Sequence, residues 1–312
     1  MNIVFFGTSA FGLPSLEAIA RSAHALKAVV STPNKPQGRH LKLQASPVKE
    51  WAAQRGSLYF DFFKEHPAQL LRTLKDLNAD VFVVISFGVI LKKEALELPR
   101  VAPINVHASL LPKYRGASPM QAAMLNEDSH TGVTVMRMNE RLDAGDVLLK
   151  KRLALDPKED IGVLEKRLSV LAAEALMESL ELLEKEKAAW VPQDEKEASY
   201  APKISKEDGK IGWSDNANKI SAKVRAYLGW PGTFFFVRGK RVVLCKAQPL
   251  QAYNASGAPG TVLQASETDG LVVAASGKTA LRLEELQLEG RKALGWKEFL
   301  RGFPLKTGEL LE

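Results

Sequence analysis

Asp80-Val81-Phe82-Val83-Val84-Ile85-Ser86 is a dense run of β-branched and aromatic residues closed by a serine. It is too short for an ordinary helix and apolar on both alternating faces, so it predicts a strand covered on both sides, as in a parallel sheet. Working outward, residues 2–6, 26–31, 103–107 and 132–138 are further apolar runs of strand length. Helical patterns separate them at 14–22, 67–77, 92–96 and 119–126. Leu70, Leu71, Leu74 and Leu77 share one face of the second of these. Strand–helix alternation predicts an α/β fold with a Rossmann-like, mainly parallel sheet covered on both faces. In such sheets the ligand crevice lies beyond the carboxyl ends of the strands.

The rest of the chain has a different texture. Residues 161–187 predict a long amphipathic helix with Leu164, Leu168, Leu171, Ala175 and Leu182 in its apolar stripe. Residues 190–205 are polar and aperiodic and contain Pro192 and Pro202, which predicts a linker. A helix at 217–227 then precedes short β-type runs at 233–237, 241–247, 260–266, 270–275 and 279–287, punctuated by Gly, Asp and Ser turns. That pattern predicts a small barrel resembling the oligonucleotide-binding fold. The expected domains are 1–189, a linker at 190–205, and 206–312.

Composition narrows the class. The 312 residues are 46% hydrophobic and 25% charged, with a single cysteine, Cys245. This excludes a disordered, collagen-like or disulfide-stapled chain. No apolar window reaches the roughly 18 residues of a membrane helix, and the start lacks the basic segment of a signal peptide, so a cytoplasmic protein is expected. No long apolar seam is left over, which predicts a monomer. The formal charge of +7 is uneven: residues 206–312 hold 16 basic and 11 acidic residues, against 27 and 25 over 1–205. The basic excess in the last third is either a solvated face or a surface for a polyanion.

Three polar residues fall where the crevice should be. Asn105 and His107, at i and i+2, share one face of the strand 103–107 near its carboxyl end. Asp143 follows the strand 132–138, again on the carboxyl side. The alternative is structural: Asn105 and His107 cap the next loop, and Asp143 makes an Asx-turn. Gly7-Thr8-Ser9-Ala10-Phe11-Gly12 lacks the dinucleotide spacing and reads as a tight strand-to-helix turn. With no H-x-x-H or H-E-x-x-H pair, no metal site is expected.

Asn105-Val106-His107-Ala108-Ser109-Leu110-Leu111-Pro112-Lys113-Tyr114-Arg115-Gly116, with Leu142-Asp143-Ala144-Gly145-Asp146 downstream, closely resembles 10-formyltetrahydrofolate-dependent formyltransferases. Phe6-Gly7-Thr8-Ser9, Thr32-Pro33-Asn34-Lys35-Pro36-Gln37-Gly38-Arg39, Tyr200-Ala201-Pro202-Lys203 and Trp230-Pro231-Gly232 are similar to the methionyl-tRNA formyltransferase family in particular. The resemblance spans the whole chain. Ser9 departs from it, standing where many members have proline.

The resemblance implies formyl transfer from 10-formyltetrahydrofolate, a co-substrate, to the α-amine of initiator methionyl-tRNA, for translation initiation. It implies Asn105, His107 and Asp143 as the catalytic set, and no metal. Ser109, Leu110, Leu111 and Pro112 would line the folate site, with the backbone of Ser86, Phe87, Gly88, Val89 and Ile90 against the pterin. Two surfaces would meet the tRNA acceptor arm. One is the loop bearing Arg39, Lys42 and His40, whose composition alone equally fits an ordinary surface loop. The other is basic: Lys206, Lys223, Arg225, Arg238, Lys240 and Arg241. Rival readings are a formylase of the same module acting on a sugar amine or a glycinamide nucleotide, a formylfolate hydrolase, and a catalytically silent RNA-binding protein.

Overall fold

A computed structural model describes residues 1–37, 42–63, 67–250 and 255–312. Their contacts divide the chain into two compact units. The first comprises Met1–Pro119, His130–Ala154 and Glu165–Ala201; the second comprises Met120–Ser129, Leu155–Leu164 and Pro202–Glu312.

The first unit is built on a seven-stranded sheet in the order Val147–Ala154, His130–Arg137, Ala102–His107, Val81–Ile85, Asn2–Gly7, Ala25–Ser31, Tyr59–Asp61. The five strands from Ala102–His107 to Tyr59–Asp61 run parallel; His130–Arg137 runs opposite to them, and Val147–Ala154 pairs antiparallel with it in turn. Val81–Ile85, the strand expected at the centre, is buried throughout between Asn2–Gly7 and Ala102–His107. Phe6 and Phe82 pack 5.0 Å apart on one face, in a cluster with Leu74 and Ala95 from the flanking helices. The chain winds away from Asn2–Gly7 in both directions, so the strand order reverses beside it. That is where open α/β sheets hold ligands.

Among the elements not expected from the sequence, three flank the main sheet or form its edges. Tyr59–Asp61 is a three-residue edge strand. Val147–Ala154 carries Lys150, Lys151 and Arg152 along an edge whose outer residues are exposed. The helix Pro47–Arg55 starts with Ser46 accepting from the Lys49 amide at 3.1 Å, proline in its first turn, and ends at a left-handed Gly56.

The second unit holds six antiparallel strands. Five run in the order Thr233–Val237, Lys240–Leu250, Thr279–Leu288, Gly270–Ala275, Val262–Ser266, and Ala293–Gly295 pairs with Thr279–Leu288. The final residues join the two ends of this path. Glu312 exchanges both backbone hydrogen bonds with Phe236, each 2.7 Å, while Val262 donates to Glu309 at 2.8 Å and Leu311 to Gly260 at 2.9 Å. The sheet thus closes into a small barrel. Its interior is Phe235, Val242, Leu244, Leu271, Leu281 and Leu283, all at most 1% exposed, plugged by Ile220 and Val224 of the helix Ala217–Ala226.

Candidate active site

Asn105 and His107 lie on one face of Ala102–His107, alternating with buried Ile104 and Val106. The Asn105 amide donates through Nδ2 to the Val84 carbonyl of the neighbouring strand at 3.1 Å. Its Oδ1 is buried without a hydrogen-bond partner, which is costly for an amide oxygen and common where a ligand completes the set. His107 is 7% exposed, with Nε2 2.9 Å from the Tyr114 carbonyl. A carbonyl only accepts, so Nε2 carries a proton. The other ring nitrogen, Nδ1, is turned toward Asp143 Oδ2 at 3.6 Å.

Asp143 sits in the connection between His130–Arg137 and Val147–Ala154 with a left-handed backbone, φ +49°. Its Oδ2 accepts from the Gly116 amide at 2.8 Å. Three consecutive residues therefore secure the site: the Tyr114 carbonyl holds His107, the Gly116 amide holds Asp143, and Arg115 lies between them. Gly116 has φ +122°, and a Cβ there would stand 2.5 Å from the Ala201 carbonyl oxygen. Gly116→Ala should destabilise the fold by about 2–4 kcal/mol, combining backbone strain with overpacking, as read from the denaturant midpoint.

Arg115 is 2% exposed, an unusual place for a guanidinium. Glu195 lies 2.9 Å from its Nη1, and the Gln193 amide oxygen accepts from Nε at 3.0 Å and Nη2 at 2.9 Å. The Glu195 contact pushes the Arg115 pKa up, and Arg115 holds the Glu195 carboxyl below its ordinary range. Arg115–Gly116 also pairs in parallel with Tyr200–Ala201. Gln193, Glu195 and Tyr200–Ala201, which fall within the segment 190–205 read from the sequence as a linker, thus pack directly against Arg115–Gly116. Nothing local in its sequence signals this.

The residues expected at the folate contribute in different ways. Ser109, Leu111 and Pro112 are buried, and Leu110 is half-buried. Thr134 Oγ1 donates to the Ser109 carbonyl at 2.7 Å and accepts from the Leu111 amide at 3.1 Å, so this loop is shaped from within. After Val81–Ile85 the chain turns sharply, with Ser86 at φ +47° and Gly88 at φ +74°. Phe87 buries its ring against Phe6 and Phe62, while Ser86, Gly88 and Ile90 are exposed and Val89 is half-buried. Thr8, from the turn after Asn2–Gly7, donates to the Phe87 carbonyl at 3.0 Å.

Of the basic residues expected to meet tRNA, Arg39 and His40 lie outside the described residues, and Lys42 enters only as the backbone start of the strand Lys42–Gln44. In the second unit Lys206 and Lys240 are exposed. Arg241 stacks on Phe234 at 3.9 Å, and Arg238 pairs with Glu309 at 2.6 Å. Lys223 donates to the Lys210 carbonyl, and burial lowers its pKa. Arg225 donates to the Glu159 carbonyl at 3.0 Å beside a cavity of about 280 Å³ that Glu127, Asp128 and Asp156 also line. Among the described residues no three His, Cys, Asp or Glu side chains gather as a metal site, and no helix is long and apolar enough to cross a membrane.

Residues 1–180 match the Formyl transferase family, and residues 203–304 match Formyl transferase, C-terminal domain. A methionyl-tRNA formyltransferase of Caldanaerobacter subterraneus is 41% identical over 314 residues, covering 100% of both chains. One from Geotalea daltonii is 39% identical, covering 100% of this chain and 98% of its own. Among solved structures, the sugar 3N-formyl transferase WlaRD superposes with a TM-score of 0.69 at 16% identity, covering 94% of this chain and 99% of its own. HypX from Aquifex aeolicus, solved with tetrahydrofolic acid, gives 0.62 at 18% identity; this chain spans 99% of itself but 50% of HypX. These two likenesses show the shared fold. With the Asn105, His107 and Asp143 cluster at the carboxyl ends of its strands and full-length identity near 40%, the chain belongs to the formyl transferase family, among the methionyl-tRNA formyltransferases.

Proposed function

We propose that this chain transfers the formyl group of 10-formyltetrahydrofolate to the α-amine of initiator methionyl-tRNA in the cytoplasm, as a monomer. The observation that carries the reading is the 3.6 Å approach of Asp143 to His107 Nδ1, beside Asn105 on the same strand face. The amine nitrogen attacks the formyl carbon, and charge develops on the formyl oxygen. Asn105 Nδ2 has a second N–H beyond the one given to Val84, so it can stabilise that oxygen, while His107, whose Nε2–H is given to the Tyr114 carbonyl, offers Nδ1. The bond from N10 to the formyl carbon then breaks, and the proton lost by the amine ends on N10, moved through His107 under the charge of Asp143. The nucleophile belongs to the substrate, so the protein needs neither a reactive serine nor a thiol.

Ser109–Pro112 and the turn 86–90 are the proposed folate contacts. The Arg39 loop and the exposed basic residues of the second unit are proposed to meet the acceptor arm. Phosphate contacts of this kind position a nucleic acid without reading its sequence. Raising salt from about 50 to 200 mM should therefore raise KM for methionyl-tRNA about tenfold or more, while kcat at saturation stays nearly constant. The deciding assay is formyl transfer to charged initiator tRNA, with elongator tRNA and an amino sugar nucleotide as alternative acceptors. Transfer to the amino sugar alone would overturn the reading.

A further inference from the structure

Gln193 lies in the segment that looked like a connection, yet its side-chain amide is fully used. Oε1 accepts two N–H groups of Arg115, at 3.0 and 2.9 Å, and Nε2 donates to the carbonyls of Asp143 at 2.9 Å and Gly145 at 2.8 Å. An amide offers two donors and two acceptor sites, and here all four are occupied. Asp143 is a non-glycine residue in the left-handed region, a conformation that persists only where the surroundings over-determine it. It is held at both ends: its carboxylate by the Gly116 amide, and its carbonyl by Gln193. Both holds return to Arg115–Gly116, one through the backbone and the other through the Arg115 side chain. The loop also lies so close to the strand that a Cβ on Gly145 would come 1.7 Å from the Arg137 carbonyl oxygen, which leaves it no slack.

We propose that Gln193, buttressed by Arg115, is a positioning residue that sets where the Asp143 carboxylate stands relative to His107. The proposal rests on the formyl-transfer reading for its kinetic consequence, but its structural part does not. Without Gln193 the Asp143 and Gly145 carbonyls lose their shared donor, and Arg115 loses the acceptor of two of its N–H groups. The carboxylate is then tethered by the Gly116 amide alone.

Two measurements test this. The first needs no substrate: amide hydrogen exchange at Gly116, whose N–H bonds Asp143, in the full chain and in Gln193→Leu. Exchange should quicken on substitution, and unchanged exchange overturns the proposal whatever the enzyme acts on. The second is a cycle. In the otherwise unaltered chain Gln193→Leu should lower kcat about 10- to 100-fold with KM for both substrates within about twofold. In the Asp143→Asn background the same substitution should cost less than about twofold, because the partner through which it acts is already disabled. Losses that multiply across the two backgrounds overturn the proposal. Gln193→Glu serves as a second variant, since it keeps the acceptor for Arg115 while replacing the donor to Asp143 and Gly145 by a carboxylate oxygen that their carbonyls repel; it should show the same pattern. A chain inactive on methionyl-tRNA would defeat the functional reading while leaving the exchange result decisive here.

Discussion

Asn105→Ala should lower kcat by about 10²- to 10³-fold, the usual loss for one donor to a developing oxyanion. KM for both substrates should hardly move, since the oxygen is a far better acceptor in the transition state than in the bound formyl group. The fold should tolerate the change. Asn105 spends one N–H on the Val84 carbonyl, while its Oδ1 is buried with no partner. Removing the side chain thus deletes one hydrogen bond and one unsatisfied acceptor together, a net change of about 1 kcal/mol or less. Single-turnover formylation at saturating substrate is the measurement. A rate near that of the unaltered protein would remove Asn105 from the chemistry and leave it as a strap between two strands.

Asp143→Asn should cost more, about 10²- to 10⁴-fold in kcat, because it removes the charge behind the proton transfer. The substitution is informative because it preserves shape. Asparagine tolerates a left-handed backbone well, and its Oδ1 can still accept from the Gly116 amide. The loop stays in place while the negative charge beside His107 Nδ1 disappears. Asp143→Ala also loses the Gly116 bond, so it mixes charge with geometry. A near-normal kcat in the Asn variant would mean that the carboxylate serves only as a turn.

Much of this architecture is visible in local sequence. Val81–Ile85 is legible because a strand buried on both faces must be apolar at every position. Asn105 and His107 are legible as a pair because strand periodicity places them side by side. Val147–Ala154 is not, because an edge strand wets one face and its Lys-Lys-Arg looks like a loop. The helix Pro47–Arg55 carries a serine cap and a first-turn proline, but its face is too polar to betray it. Gln193 is the clearest case of what stays hidden. Its partners lie 78 and 50 positions away, at Arg115 and Asp143, and no pattern within a few residues encodes contacts of that span. Arg115 is hidden for the same reason: its burial depends on Glu195, 80 positions later.

The way the last five residues pair with both Phe236 and the Gly260–Val262 segment has a consequence for solubility. Thr233–Val237 and Val262–Ser266 are the two strands at the ends of the barrel's path, and an uncovered strand offers unpaired N–H and C=O groups to any passing chain. Gly308–Glu312 occupies backbone groups on both at once. It therefore covers part of both margins, and a fusion or cleavage that pulled it away should expose them to self-association while the hydrophobic interior was still intact.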